Sequence, residues 1–269
     1  MADLPEWLII VILGIVEGIT EFLPISSTGH LLLTQQLGAN WRQSDVFNIV
    51  IQSGAVVAVL LVFKQRSVEL LTQWQKPEIK DYLLKMLVAF VITSIGGLIL
   101  KATNFELPEN AHPVAWALII GGVLFIALEY KLKGKELSDT VTWNVAILIG
   151  IGQLIAAVFP GASRSGTTIV IAMALGLSRP KAVEFTFLLG VPTLLAAGAV
   201  KLLGAFKEGG FQEDVGMLIL GTVISAITAF IAVKWLLGFL RSNTFVAFGW
   251  YRIILGVLVL IFVKDAVQP

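Results

Sequence analysis

The chain contains no cysteine, so disulfides, thiolate metal sites and cysteine nucleophiles are all excluded. Charge is scarce as well. Asp, Glu, Lys and Arg make up 14% of the 269 residues, against about 25% in soluble domains. The formal net charge is only +1, and no basic tail or basic–aromatic run offers nucleic acid a footprint. The opening residues, Met-Ala-Asp-Leu-Pro-Glu-Trp, lack the basic region and small-residue cleavage site of a signal peptide. The first apolar helix is therefore expected to be retained.

What is present is apolar sequence: 57% of the residues, in runs near 20 long that recur along the chain. That pattern predicts an all-α integral membrane protein. Six transmembrane helices are predicted, at 46–63, 83–100, 113–130, 182–203, 215–238 and 244–263. Two further apolar segments, 8–37 and 143–177, are each about 30 residues or more, roughly 45 Å as one helix. A hydrocarbon core of about 30 Å is too thin for that. Pro24 and Pro160 interrupt these segments, since an interior proline removes a hydrogen bond and clashes with the preceding turn.

Basic residues set the orientation. Lys64, Arg66, Lys76, Lys80 and Lys85 follow the first span, and Lys131, Lys133 and Lys135 follow the third. Arg179 and Lys181 precede the fourth, and Lys234 and Arg241 end the fifth. These ends are assigned to the cytoplasm. The opposite ends carry fewer: Arg42, Lys101, Lys201, Lys207 and Lys264. Both flanks of 143–177 then lie inside, so that segment must enter and return as a re-entrant helix–loop–helix. The halves 1–136 and 137–269 align at an offset of 136, which pairs Pro24 with Pro160, Ser27 with Ser163, Gly14 with Gly150, Gly54 with Gly190 and Glu17 with Gln153. Three crossings per half, an odd number, make the second copy inverted. One membrane domain is predicted, an inverted-topology repeat with six spans and two re-entrant segments, 8–37 and 143–177, whose tips meet.

Those two segments hold the polar residues. The first reads Glu17-Gly-Ile-Thr-Glu21-Phe-Leu-Pro24-Ile-Ser26-Ser27-Thr28-Gly29-His30. The second reads Pro160-Gly-Ala-Ser163-Arg164-Ser165-Gly166-Thr167-Thr168. Ionisable groups and broken backbone within hydrocarbon mark a functional site by default. Glu17 and Glu21, four apart, share a helix face and repel unless a proton or cation lies between them. They are candidate ligands for Mg²⁺ or Ca²⁺. The plain alternative places them at headgroups or against a basic residue. Ser26, Ser27 and Thr28 stand where a second half-helix starts, as N-caps or as part of an anion site. His30, three residues beyond Ser27, pairs with it as a candidate base and nucleophile. Arg164 suits bidentate phosphate binding; its alternative is an ion pair with Glu17 or Glu21. Gln52, Glu184, Tyr251 and Arg252 are polar groups within spans with no chemistry assigned, and His112 is read as interfacial.

The two polar stretches resemble the two signature motifs of bacterial undecaprenyl-diphosphate phosphatases of the bacitracin-resistance type. The similarity extends over the whole chain in length, motif spacing and span pattern. It implies a polyprenyl diphosphate substrate of the C55 class, hydrolysis to the monophosphate and phosphate, and recycling of the carrier lipid for cell-wall synthesis. It further implies a multi-pass protein of the bacterial cytoplasmic membrane with its site open to the outer, periplasmic face. On this reading Ser27 is the nucleophile, His30 moves its proton, and Glu17 and Glu21 hold a divalent cation or polarise the serine. Arg164, Ser163 and Thr168 hold phosphoryl oxygens, while Ser26, Thr28, Ser165, Gly166 and Thr167 line the binding site. The alternative from a different class is a flippase for polyprenyl phosphate, because inverted repeats are a transporter device. A homodimer is left open.

Overall fold

A computed structural model describes residues 4–35, 38, 41–103, 111–207 and 214–262. The expected ends of two segments, at 36–37 and 263, and Lys264 lie outside the described residues. Among those described there is no strand, only an isolated bridge between Ser138 and Leu177. The chain is helical throughout: α1 (Glu6–Thr20), α2 (Ser27–Gln35), α3 (Asp45–Val62), α4 (Lys64–Thr72), α5 (Pro77–Ala102) and α6 (Ala111–Leu132), then α7 (Trp143–Val158), α8 (Arg164–Ala174), α9 (Arg179–Lys207), α10 (Val215–Phe239) and α11 (Val246–Phe262).

Helix starts follow from local chemistry. Ser44, Thr142 and Asp214 are N-caps whose side chains accept from the first-turn amides of α3, α7 and α10. Pro77 occupies the first turn of α5, where a missing N–H costs nothing. Four helices, α5, α6, α9 and α10, are long and apolar enough to cross a membrane, and α3 with α4 makes a fifth candidate bent by 80°. α11 is apolar but has 17 residues, about 26 Å. The basic stretch after the first span is thus a helix turned aside at Phe63, not an irregular loop. Lys64 and Arg66 explain the turn, since continuing straight would drive two cations into hydrocarbon.

On two of the membrane-length helices the exposed face carries the larger apolar side chains. On α10, Ile219, Val223, Ile227 and Ile231 form an exposed stripe, while Gly221, Ser225, Ala229 and Ala232 face the bundle. On α5, Leu87, Val91, Ile95 and Leu98 are exposed in the same way, opposite buried Ala89. Large apolar side chains outside and small residues between helices suit lipid as the solvent. Small residues bring backbones close: a Cβ on Gly14 would lie 2.8 Å from the carbonyl of Gly221, and one on Gly150 would lie 2.8 Å from that of Ala89.

Both polar segments break where their prolines fall. α1 ends at Thr20 and α2 begins at Ser27; α7 ends at Val158 and α8 begins at Arg164. A residue before proline is pushed out of the helical region, so each helix stops short of it. The second half-helices start alike. Ser26 and Ser163 adopt positive φ, 75° and 67°, and their hydroxyls accept from the amides of Gly29 and Gly166. The residue equivalent to Ser163 is therefore Ser26, not Ser27. The second tip contains one extra residue after its proline, so the register is 136 at the prolines and 137 at the caps. Ser27 thereby occupies the place of Arg164.

Candidate active site

The two breaks bring their side chains to one carboxylate. Glu21, 6% exposed at the end of α1, accepts from three partners. Its Oε2 takes the Ser27 hydroxyl at 2.6 Å and the Gln52 amide of α3 at 3.0 Å. Its Oε1 takes Arg164 Nη2 at 3.2 Å. Four segments thus converge on Glu21, and the two structurally equivalent first residues of α2 and α8 are both among its partners. Glu17, one turn back and 1% exposed, has Glu21, Arg164 and Gln52 as its polar surroundings. Its Oε1 is buried with no hydrogen-bond partner.

Arg164 is only partly engaged. Its guanidinium lies 5.5 Å from the Phe22 ring, and Nε and Nη1 are buried without partners. Gly190 leaves the room for it, since a Cβ there would lie 2.6 Å from Nη1. Unpaired guanidinium N–H groups are costly in a dry interior, and an anion's oxygens are the natural complement.

His30 does not pair with Ser27. Its Nδ1 is 2.7 Å from the Ser26 carbonyl and its Nε2 is 2.7 Å from the Tyr251 hydroxyl, with the two rings stacked at 5.7 Å. A carbonyl can only accept, so the proton sits on Nδ1 and the neutral ring accepts at Nε2 from Tyr251. The expected serine–histidine contact is replaced by serine–glutamate. The reason is local: residues 21–26 fold back between the helices, so a carboxylate six residues upstream of Ser27 reaches it before the imidazole one turn ahead.

Several hydroxyls expected to hold phosphate are committed to the backbone. Ser26 and Ser163 cap their helices. Ser165 donates toward the carbonyls of Leu23, at 3.2 Å, and Glu21, at 3.4 Å, joining the tips. Thr168 donates to the carbonyl of Arg164 at 2.8 Å, and Thr167 lies 3.4 Å from that of Ala162. Capping accounts for Ser163, tip closure for Ser165 and back-bonding within α8 for Thr168, all buried. Thr28 is exposed, and Ser27 and Thr167 are half-buried. Glu184 stands apart, paired with Lys181 and near Arg66 beside a polar cavity of about 500 Å³ at the basic ends of the helices.

Two residues left without a role join the site from α11. Tyr251 orients His30, and Arg252, 0% exposed, reaches both tips. The sequence signal for Arg252 was a lone arginine in an apolar helix, which must find partners elsewhere.

Among the described residues no group of three or more His, Asp or Glu is disposed to hold a metal. Glu17 and Glu21 still form a two-carboxylate donor set with one orphaned oxygen, a fit for a hard cation completed by substrate oxygens.

The family model described as Bacitracin resistance protein BacA matches residues 10–258. An undecaprenyl-diphosphatase of Rhizobium etli (strain CIAT 652) is 54% identical over 252 residues, covering 93% of this chain and 94% of that protein. An undecaprenyl-diphosphatase of Xanthomonas oryzae pv. oryzae (strain PXO99A) is 48% identical over 269 residues, 99% of each chain.

Proposed function

From the chain's membership of the bacitracin resistance protein BacA family, we infer that it is an undecaprenyl-diphosphatase. It hydrolyses undecaprenyl diphosphate to undecaprenyl phosphate and phosphate, and so returns carrier lipid to peptidoglycan synthesis and confers bacitracin resistance. The flippase alternative is not favoured, because the relatives are named for hydrolysis.

The observation that carries the mechanism is the Ser27–Glu21 hydrogen bond beside the two unpartnered nitrogens of Arg164. Ser27 Oγ attacks the terminal phosphorus while Glu21 takes its proton, as a positioned general base. The Oγ–P bond forms, the anhydride P–O bond breaks, and its electron pair leaves on undecaprenyl phosphate. Water then adds to the phosphoserine, the Oγ–P bond breaks, Glu21 returns its proton to Ser27 Oγ, and the phosphate departs with both protons of the water. Arg164 gives up part of its contact with Glu21 to hold the non-bridging oxygens. His30, with Nδ1–H on the Ser26 carbonyl and Nε2 accepting from Tyr251, holds the turn that presents Ser27, and Thr28 and Thr167 line the approach. Glu17 and Glu21 would hold Mg²⁺ or Ca²⁺, which would offset the charge of the diphosphate.

The packing supports the inverted repeat. α1 packs on α2 and α10 as α7 packs on α8 and α5, and α3 meets α10 as α9 meets α5. α6 and α11 pair with each other, and so do α3 and α9, which is consistent with elements exchanged across a two-fold axis. Six helices then cross, and α1–α2 and α7–α8 are re-entrant pairs in the bacterial cytoplasmic membrane, with the site reached from the periplasmic face.

The decisive assay is phosphate release by purified protein in detergent, with a long-chain polyprenyl diphosphate. Hydrolysis needs no bilayer, whereas flipping does. Absence of turnover by correctly folded protein, with transport in vesicles, would reverse the assignment. The same assay tests the cation: excess chelator is expected to abolish release, and added Mg²⁺ or Ca²⁺ to restore it. Full activity in chelator leaves Glu17 an orienting role only.

A further inference from the structure

Arg252 is wholly buried, yet among the described residues no carboxylate pairs with it. Its hydrogen bonds within the described residues all go to backbone carbonyls. Nη1 donates to Pro24 of the first tip at 3.2 Å. Nη2 donates to Gly161 and Ala162 of the second tip, at 3.2 and 3.0 Å. Nε and Nη2 also bind Leu118 and Ala117 of α6, at 3.3 and 3.1 Å. Three nitrogens therefore join α6, α11 and both interrupted segments at one point.

The surroundings are shaped for this group. A Cβ on Gly121 would lie 2.1 Å from Nη2, and one on Gly166 would lie 2.8 Å from Nη1. Two glycines on two helices clear the volume that the guanidinium fills. Three of these carbonyls, those of Pro24, Gly161 and Ala162, lie in the breaks between helices, whereas those of Ala117 and Leu118 belong to the interior of α6. Without Arg252 the carbonyls of two buried tip residues, Pro24 and Gly161, would lose the side-chain donor that serves them.

We propose that Arg252 is a positioning residue for the hydrolysis, tying the two tips in the register that sets Ser27 and Glu21 of one against Arg164 of the other. This rests on the hydrolase reading above. It acts through the tip backbones, and it does not touch Ser27, Glu21 or Arg164. Only a planar, forked cation can serve these diverging acceptors together. A lysine has one nitrogen and cannot span them.

The test is steady-state phosphate release from polyprenyl diphosphate by purified Arg252→Lys and Arg252→Met proteins, with thermal unfolding of each. A displacement of about 1 Å between reacting groups costs on the order of 100-fold. Both variants are expected to lose about that factor in kcat per folded molecule, with KM changed less than about 3-fold. In a Ser27→Ala background, Arg252→Lys should cause no further loss, because the group it aligns is gone. Should both variants fail to fold, Gly121→Ala keeps the arginine but pushes its flexible end off the tips, and should show the same kcat signature. Full activity per folded molecule in the lysine variant, or a rise in KM at constant kcat, overturns the proposal. Wild-type protein that releases no phosphate would instead overturn the hydrolase reading on which it rests.

Discussion

Ser27, Glu21 and His30 differ in what removing each should cost. Ser27→Ala removes the attacking atom and should lower kcat by about three orders of magnitude or more. Glu21→Gln keeps the shape but cannot take a proton, for a loss of about 10²–10⁴-fold. Its amide also turns a donor toward either Ser27 or Arg164. His30→Ala should cost less than Glu21→Gln, and Tyr251→Phe should reproduce part of the His30 loss, because Tyr251 sets the ring. Turnover by purified variants at saturating substrate checks the order. Near-normal kcat in Ser27→Ala would reduce the serine to a structural first-turn residue and make water the nucleophile. A His30 loss exceeding that of Glu21 would restore the imidazole as base. The residue types of this site were legible in the sequence because carboxylates, hydroxyls and an arginine have few reasons to sit between apolar runs. The ion pair of Arg164 with a carboxylate was anticipated as that arginine's alternative role, and Glu21 forms it; the partner of Ser27 was not fixed. Helical spacing favours Ser27 with His30, and nothing in a linear sequence shows that the backbone at 21–26 doubles back. Arg252 was visible only as a lone cation, since its tip partners are 228 and 90–91 residues away.

At the scale of elements, the site depends on how closely α1 sits against α10. A Cβ on Gly18 would lie 2.0 Å from Thr228 Oγ1 and 2.4 Å from the Ser225 carbonyl, and Gly18 is adjacent to Glu17. Gly18→Ala should therefore push α1 away, costing about 1–3 kcal/mol in stability. Activity should fall with it, because Glu17 and Glu21 ride on that helix. Gly97 and Gly238, also helical, have nothing within 4 Å of a built Cβ. Alanine there should be neutral or stabilising by up to about 1 kcal/mol. Thermal unfolding in detergent separates the classes: equal shifts for Gly18→Ala and Gly97→Ala would remove the tight α1–α10 contact from the account. The helices themselves were well marked in sequence by apolar length and proline breaks. The turn of α4 was not, because Lys64 and Arg66 say only that the chain leaves hydrocarbon, not that it stays helical while doing so. Nor was the extra residue in the second tip. It shifts the serine equivalence from Ser27 to Ser26, and only positive φ at both caps reveals it.

For the whole molecule, the proposed inverted repeat and the charge distribution imply a relation that can be measured. The tips touch through Ser165 and Arg252, so a reagent that reaches one should reach the other from the same side. In the proposed orientation the basic ends of α3, α6, α9 and α10 face the cytoplasm and the reagent approaches from the other side. The polar cavity beside Lys76, Lys85 and Lys181 then faces the cytoplasm and is a separate place from the reacting groups. Because the chain has no cysteine, single cysteines report position without background. Thr28→Cys is exposed and Thr167→Cys half-buried, and both flank the hub without being the groups placed in bond making. A membrane-impermeant thiol reagent should label both in intact cells, Thr28→Cys faster, and added polyprenyl diphosphate should block both. A cysteine at Lys133, in the basic connection after α6, should react only in inside-out vesicles. Labelling of Thr28→Cys and Thr167→Cys from opposite sides would break the shared entrance. Labelling of both only in inside-out vesicles would turn the molecule over, and the enzyme would then meet its diphosphate on the cytoplasmic leaflet.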